Sequence, residues 1–271
     1  MNKIIYCLII IFVLFISLYG CQKPSSKEYT ITFETNGGNI IDDIILENGK
    51  IIVLSEPTKQ GYSFDGWFLD NNIFEEKVNL NEPITNDIIL YAKWLENPKI
   101  VFNLEDGRKI RMELYPKIAP LTVENFLKLI DEDYYNNTVF HRIISNFMIQ
   151  AGMLQYDGEQ LEYKPQRDNI IGEFESNGYV NNLSHTLGVL SMARTTVKNS
   201  ATAQFFICSA TSPHLDGDYA AFGKTLDDES NLVVLSLSNY YTTTFSNMQN
   251  FSFTSEGDLV IISSIERISS N

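Results

Sequence analysis

Residues 140–150, Phe140 to Gln150, read FHRIISNFMIQ and place one arginine, Arg142, inside an otherwise apolar run that should be buried. Burying a guanidinium is costly unless it is paired or put to work. An arginine between strands can also snorkel, with its stem along apolar neighbours and its head group in water. The surroundings decide between these uses. Short β-type segments recur on both sides, at TVFHRI, FMIQAG, GVLSMA, AQFFICSA, AAFGKT and LVIISSIERI. KIVFNLEDGRKIRMELY reads as a hairpin turning at Asp106-Gly107. APLTVENFLKLIDEDYY is an amphipathic helix: Pro120 suits its first turn, and Val123, Phe126, Leu127 and Ile130 fall at helical spacing. A second helical stretch, around Glu229 to Ser238, precedes the last strand. Many strands with only two helices argue for a closed antiparallel barrel capped by helices.

This larger region, 97–271, follows a boundary at Glu96-Asn97-Pro98. The smaller region before it, 29–96, is mainly strands and turns. YTITFET alternates, Asn36-Gly37-Gly38 is a strong turn signal, and IIDDIILENGKIIVL reads as two short strands joined at Asn48-Gly49. PTKQGYSFDGWF and IILYAKW complete it. Trp67 and Trp94 read either as a ligand-binding pair or, more simply, as the core of a module that needs large aromatics to bury enough area.

The first residues stand apart. MNKIIYCLIIIFVLFISLYGC has one early lysine, an apolar run from Ile4 to Ile16, and then Leu18-Tyr19-Gly20-Cys21, which is the pattern of a secretory signal over 1–20. A membrane-spanning anchor that is never cleaved is the alternative. QKPSSKE then forms a polar tether within 21–28, and its seven residues reach at most about 25 Å at roughly 3.5 Å each. Across all 271 residues there are 34 acidic and 20 basic side chains, a formal charge of −14. Such a surface repels the phosphates of nucleic acid and of anionic lipid head groups, so neither is expected as a partner. The three histidines, His141, His185 and His214, have neither HExxH spacing nor paired cysteines, so no metal site is expected. His141 is expected to be a satisfied structural histidine, and Cys208 a core residue of an apolar strand.

Three resemblances sharpen this reading. Leu18-Tyr19-Gly20-Cys21 resembles a bacterial lipobox, with Tyr19 an unusual residue at its position. It implies that Cys21 becomes the first mature residue and carries lipid, leaving the protein exported and anchored on the outer face of the cell membrane. Cys7 would leave with the signal, so no disulfide forms within the mature chain. The 29–96 region closely resembles the InlB B-repeat, or Listeria–Bacteroides repeat, at Thr35-Asn36-Gly37-Gly38, Gly61-Tyr62, Gly66-Trp67 and Leu90-Tyr91-Ala92-Lys93-Trp94. That implies a small β-grasp-like fold and leaves open an envelope or surface ligand for the module. FHRIISNFMIQAG, GVLSMAR, NSATAQFFICSA and SPHLDGDYAAFG, in this order, are similar to successive signatures of the cyclophilin family of peptidyl-prolyl cis/trans isomerases.

The family resemblance implies an eight-stranded antiparallel barrel closed by two helices, and roles position by position. Arg142 matches the catalytic arginine and Gln150 the glutamine that orients it. Phe147, Met148, Phe206 and Leu215 match the pocket for the proline ring; Ala193 and Arg194 lie where backbone groups hold the residue before it. Gln204 lies on the pocket wall, Tyr219 at a position that is histidine or tyrosine in relatives, and His214 where a tryptophan often borders the pocket and contacts the inhibitor cyclosporin. No cofactor is implied, and the expected partners are proline-containing exported polypeptides. The chemistry suits these residue types. Rotating an X-Pro amide breaks conjugation but no σ bond, so the site need only bind the twisted amide more tightly than either planar form. The rival class is a surface protein that binds proline segments without turnover. Departures are Ala151-Gly152-Met153 after the glutamine, a following loop LQYDGEQLEYKPQRDN without the usual glycine-rich run, and an uncharged aromatic stretch, NYYTTTFSNMQNFSFTS.

Overall fold

The structure is a computed structural model that describes residues 26–47, 53–239 and 259–268. The signal segment, Cys21, the Asn48-Gly49 turn and the aromatic stretch from Tyr240 onward lie outside the described residues. The chain divides into two units, which part near Gln60 and again near Trp94.

In the first unit, β1 (Glu28–Glu34), β2 (Ile44–Glu47), β3 (Tyr62–Phe68) and β4 (Ile88–Glu96) make a four-stranded sheet in the order β2-β1-β4-β3. β1 pairs antiparallel with β2 and parallel with β4. The strand expected after Asn48-Gly49 is not present at Val53 and Leu54, which are irregular. Trp67 is buried with Ile31, Leu90 and Ala92, and Trp94 packs against this cluster. Phe64 joins the two indoles, 5.3 Å from the ring of Trp67 and 5.6 Å from that of Trp94. Both indole N–H groups donate to carbonyls within the unit, Trp67 to Ser55 and Trp94 to Thr35. The pair is core.

The second unit contains β5 (Lys99–Leu104), β6 (Lys109–Leu114), β7 (Thr138–Val139), β8 (Arg142–Ile144), β9 (Met148–Ala151), β10 (Leu154–Tyr156) and β11 (Leu161–Tyr163). β12 (Val189–Met192), β13 (Phe205–Cys208), β14 (Ala221–Thr225) and β15 (Ile261–Ile268) follow, with α1 (Pro120–Asp131) and α2 (Asp228–Ser238) as its helices. All the strands belong to one sheet of order β11-β10-β7-β15-β5-β6-β14-β12-β13-β9-β8. β8 ends that order, yet it follows β7 in the chain after only Phe140 and His141. The three Cα steps from Val139 to Arg142 span about 11 Å at most, so the sheet must curl round on itself. The β5–β6 hairpin turns at Gly107, whose φ of 88° favours glycine. β10 and β11 form a second hairpin, where the sequence reads as a loop.

Both helices are tied in by their N-termini and by buried apolar faces. α1 begins at Pro120 after an N-cap, Ala119, that has no side chain to offer. Its free N–H groups go instead to Glu173, which accepts from Leu121 at 3.1 Å and from Thr122 at 2.8 Å. Phe126 from α1 then meets the rings of Tyr135, Phe205 and Phe222 at 4.9, 5.4 and 5.1 Å. Removing such a ring typically costs about 3–5 kcal/mol. α2 is capped by Asp227, which accepts from the Ser230 N–H at 2.7 Å.

Candidate active site

β8, β9 and β13 lie side by side, and their register sets Arg142 opposite Gln150 and Gln150 opposite Phe206. The three form one row across the sheet. Successive side chains on a strand point to opposite faces, so Met148 and Cys208, two residues along, share the face of that row. Ile143, Ile149, Ala151, Phe205 and Ile207 occupy the other face and join the main core. Met148, Phe206, Cys208 and Leu215 instead make a separate buried cluster, with Ile144, Phe147, Ala193 and Tyr219 packed against it. One face of this sheet region stabilises the fold, and the other lines a hollow.

Arg142 sits at the edge of that hollow, half-buried. Its Nη1 donates to Gln150 Oε1 at 3.2 Å and approaches Met148 Sδ at 3.8 Å. Gln150 Nε2 in turn donates to Gln204 Oε1 at 3.1 Å. A guanidinium only donates, so Gln150 must turn its oxygen to Arg142 and its amino group to Gln204. Burial lowers the Arg142 pKa and Tyr219 offsets part of this; a guanidinium stays charged at neutral pH. Among the described residues no carboxylate pairs with it.

Two adjoining cavities open beside this chain of bonds. One, about 180 Å³, is lined by Arg142, Gln150, Phe147, Met148, Ala193, Arg194, Phe206, Leu215 and Tyr219. The other, about 340 Å³, shares Arg142, Gln150, Ala193 and Arg194 and adds Gln204. It is also lined by His141, which the sequence analysis read as structural, by Met153, and by Thr195, Ser200 and Thr202, which sequence reasoning did not single out. Scattered hydroxyls within ARTTVKNSATAQ carry no pattern that would mark them. His214 lines neither cavity; it is exposed, with its ring 5.3 Å from that of Phe147. Cys21 lies outside the described residues.

Neighbouring groups hold the walls. Leu215 ends a short 3-10 turn, Pro213–Leu215, and His185 fixes that turn from behind. The His185 ring meets Asp216 Oδ1 at 2.8 Å and Ser191 Oγ at 3.0 Å, and stacks 6.0 Å from Phe206. Ser191 is fully buried, so this serine–histidine–aspartate line is structural and has no access to substrate. His141 is buried too, and its Nδ1 makes no hydrogen bond of good geometry. Burial pushes its imidazole down to about 4, with the Val139 backbone offsetting part of the shift. Cys208 is fully buried on β13, and burial pushes its thiol up to about 12.

Comparison with known proteins accounts for both units. Residues 99–256 match the family model described as cyclophilin type peptidyl-prolyl cis-trans isomerase/CLD, and residues 29–93 match that of the Listeria-Bacteroides repeat domain. A peptidyl-prolyl cis-trans isomerase of Acinetobacter baylyi is 36% identical over 62% of this chain and 86% of its own length. Peptidyl-prolyl cis-trans isomerase B of Bacillus subtilis is 42% identical over 45% of this chain and 80% of its own. A solved Cryptosporidium parvum cyclophilin type isomerase aligns with 65% of this chain and 99% of its own, at 27% identity and a TM-score of 0.47. With a family model covering more than half its residues, and with relatives matched over most of their lengths, this chain belongs to the cyclophilin family of peptidyl-prolyl cis/trans isomerases.

Proposed function

We propose that the 180 Å³ hollow receives the proline ring and that Arg142 is the catalytic group. The observation that carries this is the row Arg142–Gln150–Phe206, which sets a fixed cation beside an apolar floor. Phe147, Met148, Phe206 and Leu215 would hold the pyrrolidine ring, with Tyr219 at the rim. Backbone groups of Ala193 and Arg194 would hold the preceding residue while its carbonyl swings. The barrier to be lowered is about 18–20 kcal/mol, set by amide conjugation. As the amide twists, the prolyl nitrogen regains its lone pair, and a guanidinium aimed at it binds that state alone. A preorganised donor of this kind contributes about 3–4 kcal/mol, or several hundredfold in rate. Gln150, itself held by Gln204, aims the guanidinium.

The strand segments fit an eight-stranded closed barrel if β7 and β8 are the two halves of one bent strand and β10–β11 is a side hairpin. The repeat module, 29–96, fits a β-grasp-like sheet that meets an envelope or surface ligand. With a signal over 1–20, a tether over 21–28 and the isomerase over 97–271, the enzyme would act on proline-containing polypeptides as they fold outside the membrane, held there by lipid on Cys21. Leu18-Tyr19-Gly20-Cys21 supports that placement. Two measurements test the proposal. Arg142→Ala should lower kcat/KM on a prolyl peptide by about a hundredfold, and Arg142→Lys should recover little, because a point charge lacks the planar fork. Unchanged turnover in Arg142→Ala refutes the catalytic assignment. Mass spectrometry of the native N-terminus should find acylated Cys21, and an intact Met1 refutes the anchor.

A further inference from the structure

Tyr219 lines the 180 Å³ hollow but belongs to no strand or helix; it lies between the Pro213–Leu215 turn and β14. Its ring packs edge-on against Phe206, 5.8 Å away at 82°. Arg194 meets the same ring, with its guanidinium carbon 4.5 Å from the ring centre. That guanidinium also holds the main chain beside the ring. Its Nε and Nη2 both donate to the carbonyl of Asp218, at 3.0 and 2.7 Å, and that carbonyl belongs to the peptide bond leading into Tyr219. Nη1 donates to the Thr195 carbonyl at 2.9 Å, and the ring of Phe174, buried in the main core, lies 5.0 Å from the guanidinium carbon. Among the described residues no carboxylate is within ion-pair distance of Arg194. One planar group thus ties a core ring, a loop peptide and the ring of that loop together. Only a planar fork gives one carbonyl two N–H groups while stacking on a ring; a lysine ammonium is a point charge and does not.

We propose that Arg194 is a positioning residue, which sets the Tyr219 ring as a fixed wall of the proline hollow. The proposal rests on the assignment of that hollow to the proline ring. A wall already in place costs the substrate nothing, whereas a side chain that must be ordered on binding takes back part of the affinity. The wall meets the pyrrolidine ring, which stays still while the preceding carbonyl swings. It therefore holds the planar and the twisted amide alike, and loosening it should weaken binding without slowing the rotation.

The test is a double-mutant cycle in the whole protein, with prolyl-peptide isomerisation and thermal melts on every sample. Arg194→Lys keeps the charge and Arg194→Met keeps the apolar stem. Each should raise KM about fivefold, the scale of a lost guanidinium–ring contact, and keep kcat within about twofold. Tyr219→Ala should raise KM at least as much, and adding either Arg194 substitution to it should change KM no further. An unchanged KM in either Arg194 variant overturns the proposal, even where the melting point falls, since the arginine would then serve stability alone. An Arg194 effect that persists in full beside Tyr219→Ala overturns it as well, because the arginine would not be acting through that ring. Phe206→Ala separates the two levels of the argument. If it loses activity while the Arg194 variants keep their KM, the proline hollow stands and only the positioning role fails. If Phe206→Ala turns over the peptide like the natural protein, the hollow is misplaced and the proposal falls with it.

Discussion

Gln150→Leu isolates the aiming of Arg142 from its charge. Gln150 Oε1 is the oxygen that accepts from the guanidinium, at 3.2 Å, and the remaining contact of that nitrogen is Met148 Sδ at 3.8 Å. Leucine keeps most of the volume and removes the acceptor. A hydrogen bond to a charged group is typically worth about 1.5–3 kcal/mol. If the lower part of that range is what holds the donor in line, kcat/KM should fall about 10- to 30-fold. Stability should change by less than about 1 kcal/mol, because Gln204, left without its donor, borders a wet cavity. Gln150→Glu would hold the guanidinium but pair its charge, so it too should lose activity. Prolyl-peptide isomerisation and thermal melts on the same samples decide it. Gln150→Leu within twofold of the natural enzyme refutes the aiming role, and a melting point lowered by many degrees makes Gln150 structural instead.

Gly152 has φ of 93°, and a Cβ there would meet the Ala203 carbonyl oxygen at 2.5 Å and Gln204 Cα at 2.9 Å. Gly152→Ala should therefore cost at least about 2 kcal/mol by denaturation and weaken the Gln150–Gln204 contact, lowering activity as well. His141 is held at about 4 by burial, whereas an unfolded histidine titrates near about 6.5. Between those values the unfolded chain takes a proton that the folded one refuses, so stability is lost as pH falls, by about 2 kcal/mol at about pH 5. His185, also lowered by burial, acts in the same direction. Denaturation at pH 7 and pH 5 checks this, and His141→Leu should flatten the slope. His214 is exposed beside Phe147, so His214→Trp should add apolar rim area and tighten cyclosporin inhibition; no change would separate His214 from the pocket rim.

The candidate site residues were legible through the family resemblance, and strand alternation gives the physical reason that several of them share a face. In FHRIISNFMIQ the residues Arg142, Met148 and Gln150 fall on one face and Ile143 and Ile149 on the other, with the first face lining the hollow. The hairpin Leu154–Tyr163 was not legible as strands, although Asp157-Gly158 is a turn signal. Its strands are three residues long, too short to show an alternation. TVFHRI reads as one strand, but its pairing changes partner at Phe140-His141, from β15 to β9, which only the tertiary curl dictates. The cap of α1 was hidden for another reason. Glu173 lies 51 residues from Thr122, and no local pattern links them. Nor does spacing show that Arg194 would lie between Phe174 and Tyr219.

The most direct measurement compares binding with exchange on the enzyme. One X-Pro peptide is titrated onto the natural protein and onto Arg142→Ala, and its cis/trans exchange while bound is followed by NMR. A guanidinium that acts only on the twisted amide predicts a Kd changed by less than about threefold and bound exchange slowed by about a hundredfold. If Kd rises as much as kcat/KM falls while bound exchange keeps its rate, Arg142 merely holds the substrate and the catalytic assignment is wrong.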